Sequence, residues 1–139
     1  MSIPEVLRRL VMKRAEGRCE YCQLAQAGQE AQFHIDHIIP ASAGGTTEAG
    51  NLALACVSCS LRKGARQFVK VPNTDRDVPI FNPRLQHWAD HFRWEGALLR
   101  GTTELGLALV ETLQMNRPVI VAIRQEETFR GRHPKPMTG

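Results

Sequence analysis

Two Cys-x-x-Cys pairs constrain this chain more than any other feature. Cys19 and Cys22 form the first and Cys56 and Cys59 the second, and together they use every cysteine in the sequence. A chain of 139 residues is about one domain long. No apolar run approaches the roughly 18–20 residues that span a bilayer. The N-terminus lacks a basic region followed by an apolar stretch, so no secretion signal is read there. The expected location is therefore the cytoplasm, with no membrane partner. Disulfides rarely persist in such a reducing compartment, and paired knuckles there read as a structural zinc site. Four unrelated buried thiols would be the plainer reading, but it leaves the double pairing unexplained. A redox pair fits less well, because neither Cys-x-x-Cys lies in a βαβ pattern.

Hydrophobic residues make up 42% of the chain, which suits a folded core and excludes a mostly disordered one. The formal charge is +4 and the pI about 9.2. Such an excess mildly favours an anionic partner.

The chain reads as a series of short elements. Ser2, with Glu5 three residues later, resembles a capping box. Leu7, Leu10 and Val11 recur at helical spacing, so residues 3–16 read as an amphipathic helix stopped by Gly17. Its outer face carries Arg8, Arg9, Lys13 and Arg14. After the first knuckle, "QLAQAGQEAQ" reads as loop or short helix. "FHIDHII" alternates as a strand, and Pro40 ends it. "ASAGGTTEAG" has turn composition, "NLALAC" is a second strand, and "SLRKGARQ" is a short helix beginning near Ser58. "VPNTDRDVP" reads as a loop. Asn82 is read as the cap of a helix with Pro83 at its first position, running through "RLQHWADHF". "RWEGALLRG" reads as a small strand or hairpin. "TTELGLALVETLQMN" and "RPVIVAIRQEETFRG" read as helices, and residues 132–139 as a loose tail.

The chemistry is concentrated between the knuckles. Asp36 and His37 stand at a strand end, before the Gly-rich loop. A carboxylate is a hard oxygen ligand suited to Mg²⁺ or Mn²⁺. A neutral imidazole takes a proton from water near pH 7. A metal and a base together are what phosphodiester hydrolysis requires.

With both knuckles, Asp36-His37, Pro40, Gly44-Gly45, Asn51-Leu52 and Lys63-Gly64 in place, residues 19–64 resemble the HNH endonucleases, a branch of the ββα-metal nucleases. Residues beyond 80 resemble the C-terminal extension of a bacterial subfamily. The resemblance implies an α+β fold with a central ββα-metal motif (the His-Me finger), a Cys₄ structural zinc, and N- and C-terminal helices wrapped around it. Residues 1–72 would form the nuclease domain, and 73–139 a helical extension packed on it. His37 would be the general base, Asp36 a ligand of the catalytic Mg²⁺ or Mn²⁺, and Asn51 the brace of the loop that holds His37. The second ligand position falls at Ser60, where the family usually has Asn or His. A serine hydroxyl is shorter and, when neutral, a weaker ligand. It reaches a metal directly only if the helix moves closer, or otherwise through a bridging water, which Mg²⁺ commonly retains. His34 lies two residues from Asp36 on the same strand face. It is read either as a partial replacement or as a residue that packs or faces solvent.

Arg62, Lys63 and Arg66 would line a phosphate track on double-stranded DNA; taken singly, each reads better as a solvated surface charge. His87 and His91 are spaced to share a metal on a helix, but "HWADH" lacks the catalytic Glu of a zincin. An aromatic packing face with Trp88, Phe92 and Trp94 explains them better. The function expected is metal-dependent cleavage or nicking of DNA. Duplex cutting with one site per chain needs a homodimer or two sequential nicks. Two rivals remain: an HNH module that binds DNA without cutting it, and a zinc-stapled protein-interaction module.

Overall fold

The computed structural model describes residues 3–136. It is a mixed α+β fold with four helices and three two-stranded antiparallel sheets. The described chain forms two compact units. One runs up to Gln67 and includes Asn82–Gln86; the other is Phe68–Phe81 with the chain from His87 onward.

In the first unit, the apolar–polar alternation of residues 34–37 forms β1, His34–His37, which pairs antiparallel with β2, Leu52–Ala55. Asp36 lies opposite Ala53 and His37 opposite Leu52. Every residue of β2 is fully buried, as an uninterrupted apolar run requires. Helix α2, Val57–Lys63, follows at once. Cys56 is its N-cap, and its sulfur accepts the Cys59 N–H. Strand, loop, strand and helix thus occur in the order read from the sequence.

Helix α1, Glu5–Arg14, covers this hairpin with Val11, and Ala15 just beyond it is buried as well. It is shorter than the expected 3–16. Pro4 serves as N-cap, and Glu16 and Gly17 turn the chain through left-handed conformations, φ 55° and 68°. The proposed Ser2 cap lies outside the described residues.

The second unit departs further from expectation. "VPNTDRDVP" is not all loop: it supplies the turn and second strand of a hairpin, β3 Phe68–Lys70 with β4 Asp77–Pro79. Thr74 closes the turn by donating its hydroxyl to the Val71 carbonyl at 2.8 Å. The expected helix after Asn82 is absent. Asn82 Oδ1 accepts the Arg84 N–H at 2.9 Å and starts one turn, as its cap chemistry dictates. The chain then reaches only a short 3₁₀ turn at Trp88–Asp90. Phe92–Glu95 pairs instead as β5 with β6, Leu98–Gly101, the hairpin read from "RWEGALLRG". Helices α3, Glu104–Thr112, and α4, Pro118–Phe129, occur where the apolar patterning placed them. Arg124 on α4 is 2% exposed, donates to the carbonyls of Ala97 and Met115, and lies over the Trp94 ring. Part of the supposed tail is anchored: Arg132 pairs with Glu127, and His133 contacts the Gly96 carbonyl. Residues 137–139 of that stretch lie outside the described residues. Among the described residues, no helix is long and apolar enough to cross a membrane.

Candidate functional site

The four cysteine sulfurs converge, all within 4.8 Å of one another, on side chains no more than 3% exposed. Each knuckle turns its own backbone onto sulfur. The Cys22 N–H meets Cys19 Sγ at 3.4 Å, and the Cys59 N–H meets Cys56 Sγ at 3.4 Å. Cys22 and Cys56 sulfurs stand 3.7 Å apart across the two knuckles. A tetrahedron with Zn–S bonds of about 2.3 Å has sulfur edges of about 3.8 Å. The residues present therefore fit a four-coordinate zinc ion. Burial pushes the Cys19 thiol up, and its hydrogen bond with Cys19 does the same to Cys59. Hydrogen bonds from Cys19, Cys22 and Cys59 pull Cys56 down. Binding a cation there requires the remaining protons to leave.

The first knuckle is fastened to β2 through Glu20. Its backbone N–H donates to the Leu54 carbonyl at 2.8 Å, and its Oε2 accepts the Leu54 N–H at 2.8 Å. Its other oxygen forms a half-buried ion pair with Arg84.

On the same hairpin, α2 lies along β1 so that residues three apart on the helix meet residues two apart on the strand. Ser60 meets His34, and Lys63 meets Asp36. Lys63 is fully buried, and Asp36 is 13% exposed. Lys63 Nζ sits 3.0 Å from Asp36 Oδ2 and donates to the His37 carbonyl at 3.0 Å. The Tyr21 hydroxyl, held protonated by its burial, reaches the same Asp36 oxygen at 3.5 Å. Burial pushes the Asp36 carboxyl above its usual range, against the opposing pull of Lys63. This corrects the place of Lys63. It is a buried partner of Asp36, not part of a surface phosphate track, because its four-carbon stem passes through the core to a charge that burial would otherwise leave alone.

His37 is half-buried, with Nε2 2.9 Å from Thr47 Oγ1. Asn51 is 9% exposed and its side chain is fully engaged across the loop that follows β1. Its Oδ1 accepts the Ile39 N–H at 2.8 Å, and its Nδ2 donates to the carbonyls of Ile39 and Thr46 at 3.0 and 2.9 Å. The loop closes tightly enough that a Cβ on Gly45 would lie 1.7 Å from the Ile39 carbonyl oxygen, so only glycine fits. Arg14 fixes the far end of the loop, donating to the carbonyls of Ala49 and Leu52 at 2.9 and 2.7 Å. Arg14, an exposed residue of α1, thus ties the helix to the loop, while Arg8 and Arg9 contact Glu5.

Ser60 Oγ lies 2.9 Å from Nδ1 of His34, an exposed side chain. Arg62 and Arg66 are exposed beside it on and after α2. Arg62 Nε donates to Ser58 Oγ, and Arg66 Nε to the Arg62 carbonyl, each at 3.3 Å. His87 and His91 share no helix. His91 meets Thr103 Oγ1 at 2.8 Å and packs against Phe81 and Phe92, while Trp88 stacks between Phe92 and Trp94. That aromatic packing matches the plainer reading of the sequence. Sequence reasoning missed Thr47, Tyr21, Glu20 and the fixing role of Arg14. Of these, only Tyr21 carried a signal, as the sole tyrosine of the chain, set inside a knuckle.

A ββα unit closed by four cysteines that fit zinc, with a carboxylate and an imidazole adjacent at the end of its first strand, is consistent with the ββα-metal fold. Residues 19–66 match the family model described as HNH endonuclease. No curated protein and no solved structure matches the chain.

Proposed function

We propose that the chain is a divalent-metal-dependent DNA endonuclease that hydrolyses or nicks a phosphodiester bond at the Asp36–His37 face. The observation that carries this reading is the fixed imidazole. Nε2 is 2.9 Å from Thr47 Oγ1, and when Nε2–H donates to that hydroxyl the lone pair lies on Nδ1, the nitrogen then available to take a proton from water. Asn51 holds the surrounding loop through its three hydrogen bonds and so keeps His37 in place. Asp36 would hold Mg²⁺ or Mn²⁺, which supplies charge stabilisation at the phosphate and the leaving oxygen. The four cysteines would hold zinc as a closed structural site. Arg62 and Arg66 would meet phosphates of double-stranded DNA from an exposed surface. Two sequential nicks or a homodimer would complete a double-strand cut. Thiols in this arrangement suit a reducing compartment, hence the cytoplasm.

The pairing of Ser60 with His34 favours one rival: an HNH module that binds DNA without cutting it. Nicking of supercoiled plasmid, run with Mg²⁺ and with Mn²⁺, separates the two. His37→Ala should lower the rate by roughly 10²–10⁴, the range of general base catalysis, with DNA affinity little changed. Equal nicking by variant and parent would place the chemistry elsewhere. No nicking by the parent in either metal, with DNA binding intact, would establish the rival.

A further inference from the structure

Position 60 of α2, one helical turn before the Lys63 that meets Asp36, holds a hydroxyl too short and too weak a donor to anchor a divalent ion by itself. The structure gives that hydroxyl another partner: Ser60 Oγ is 2.9 Å from His34 Nδ1. His34 stands two residues before Asp36 on β1, so both project from one side of the strand. The packing of α2 along β1 supports that placement, since Ser60 reaches His34 and Lys63 reaches Asp36 from the same helix face. His34 is exposed, so its ring is open to solvent and to an ion that enters from it.

A metal-bound histidine almost always donates its second ring N–H to an oxygen, which fixes its tautomer and its orientation. His34 already has that oxygen. When Nδ1–H donates to Ser60 Oγ, the lone pair is on Nε2.

We infer that His34, through Nε2, is the nitrogen ligand of the catalytic divalent metal, and that Ser60 is its positioning residue and not a ligand. The inference rests on the reading of the Asp36 face as a metal centre. It relocates the missing donor from the helix to the strand. It also changes the metal chosen: a centre with an imidazole ligand prefers Mn²⁺, Co²⁺ or Ni²⁺ to Mg²⁺, which favours an all-oxygen shell.

The test uses the zinc-loaded full chain and reads metal binding directly. Free Mn²⁺ is titrated by its electron paramagnetic resonance signal, and ligand nitrogen by ¹⁴N hyperfine coupling on the bound ion. The parent should bind one Mn²⁺ with ¹⁴N coupling, at least tenfold more tightly than Mg²⁺. His34→Ala should lose the coupling and at least tenfold in Mn²⁺ affinity, with unchanged circular dichroism. Ser60→Ala should lose less affinity and keep the coupling, and Ser60→Thr, which retains the hydroxyl, should restore parental binding. Coupling that persists in His34→Ala, or Mn²⁺ affinity unchanged by it, overturns the assignment. If plasmid nicking by His34→Ala then equals the parent's, the nuclease reading stands without His34. Absence of any Mn²⁺ site sensitive to Asp36→Asn, together with absence of nicking, overturns both.

Discussion

Cys56 and Ser60 stand four residues apart on and just before one short helix, yet they serve two unlike sites. The cysteine site is closed. Its donors are buried, lie within 4.8 Å of one another and are supported by their own knuckle amides. The Asp36–His37 face is partly open, and each of its polar groups is held by the protein. Asp36 is held by Lys63 and Tyr21, His37 by Thr47, His34 by Ser60, and the loop by Asn51. The difference is the one expected if the first site binds a structural ion and the second is the proposed reaction site. A closed site is organised by the ion it binds, so four like ligands suffice. A site that admits substrate keeps positions open, and its geometry must be built by hydrogen bonds that do not depend on the ion.

The largest expected effect comes from breaking the closed site. Cys56→Ser removes one thiolate and the cap of α2, and apparent zinc-binding energies of roughly 10–16 kcal/mol fold such modules. Zinc content and thermal melting should both collapse. A variant that melts like the parent would mean the hairpin and α1 hold the fold without metal.

A smaller but still large effect is expected on the open side. Lys63→Met leaves Asp36 as a buried charge without its partner, which costs about 3–5 kcal/mol. Adding Asp36→Asn should recover much of that loss in a denaturant series, because the pair, and not either residue alone, fits the core. Additive losses in the double variant would show that the two do not couple.

Asn51→Ala opens the loop by deleting three hydrogen bonds. Each lost bond is worth about 0.5–1.5 kcal/mol, and plasmid nicking should fall further than DNA binding. Binding and nicking that fall together would argue against a positioning role.

The smallest effect is at the rim. Arg62→Ala should weaken DNA binding similarly across sequences and reduce the salt-dependence slope by about one. A slope identical to the parent's removes Arg62 from the interface.

The sequence made the knuckles legible because residue type and local spacing alone specify a thiolate site. The alternation of 34–37 and the apolar run of 52–55 made β1 and β2 legible in the same way. Contacts distant along the chain were not legible. Lys63, in "LRKG", has the look of a surface charge, and its burial depends on Asp36, far away in sequence. The same holds for His34 with Ser60 and for Arg14 with Ala49 and Leu52. Thr47 sits in a polar turn where any threonine would look alike. The helix read after Asn82 failed for a different reason. Its cap signal was real for one turn, but the pairing of Phe92–Glu95 with Leu98–Gly101 outcompeted the helical continuation.

On this proposal one hairpin and helix carry two metal sites of different kinds, one structural and one catalytic. It is tested most directly by selective stripping. Zinc-loaded protein is treated with EDTA just long enough to remove weakly held ions, its zinc content is measured, and plasmid nicking is assayed before and after Mn²⁺ is restored. Nicking should vanish with zinc and fold intact, then return on addition of Mn²⁺ alone. Nicking that survives the treatment, or that returns only when zinc is replenished, would contradict the account.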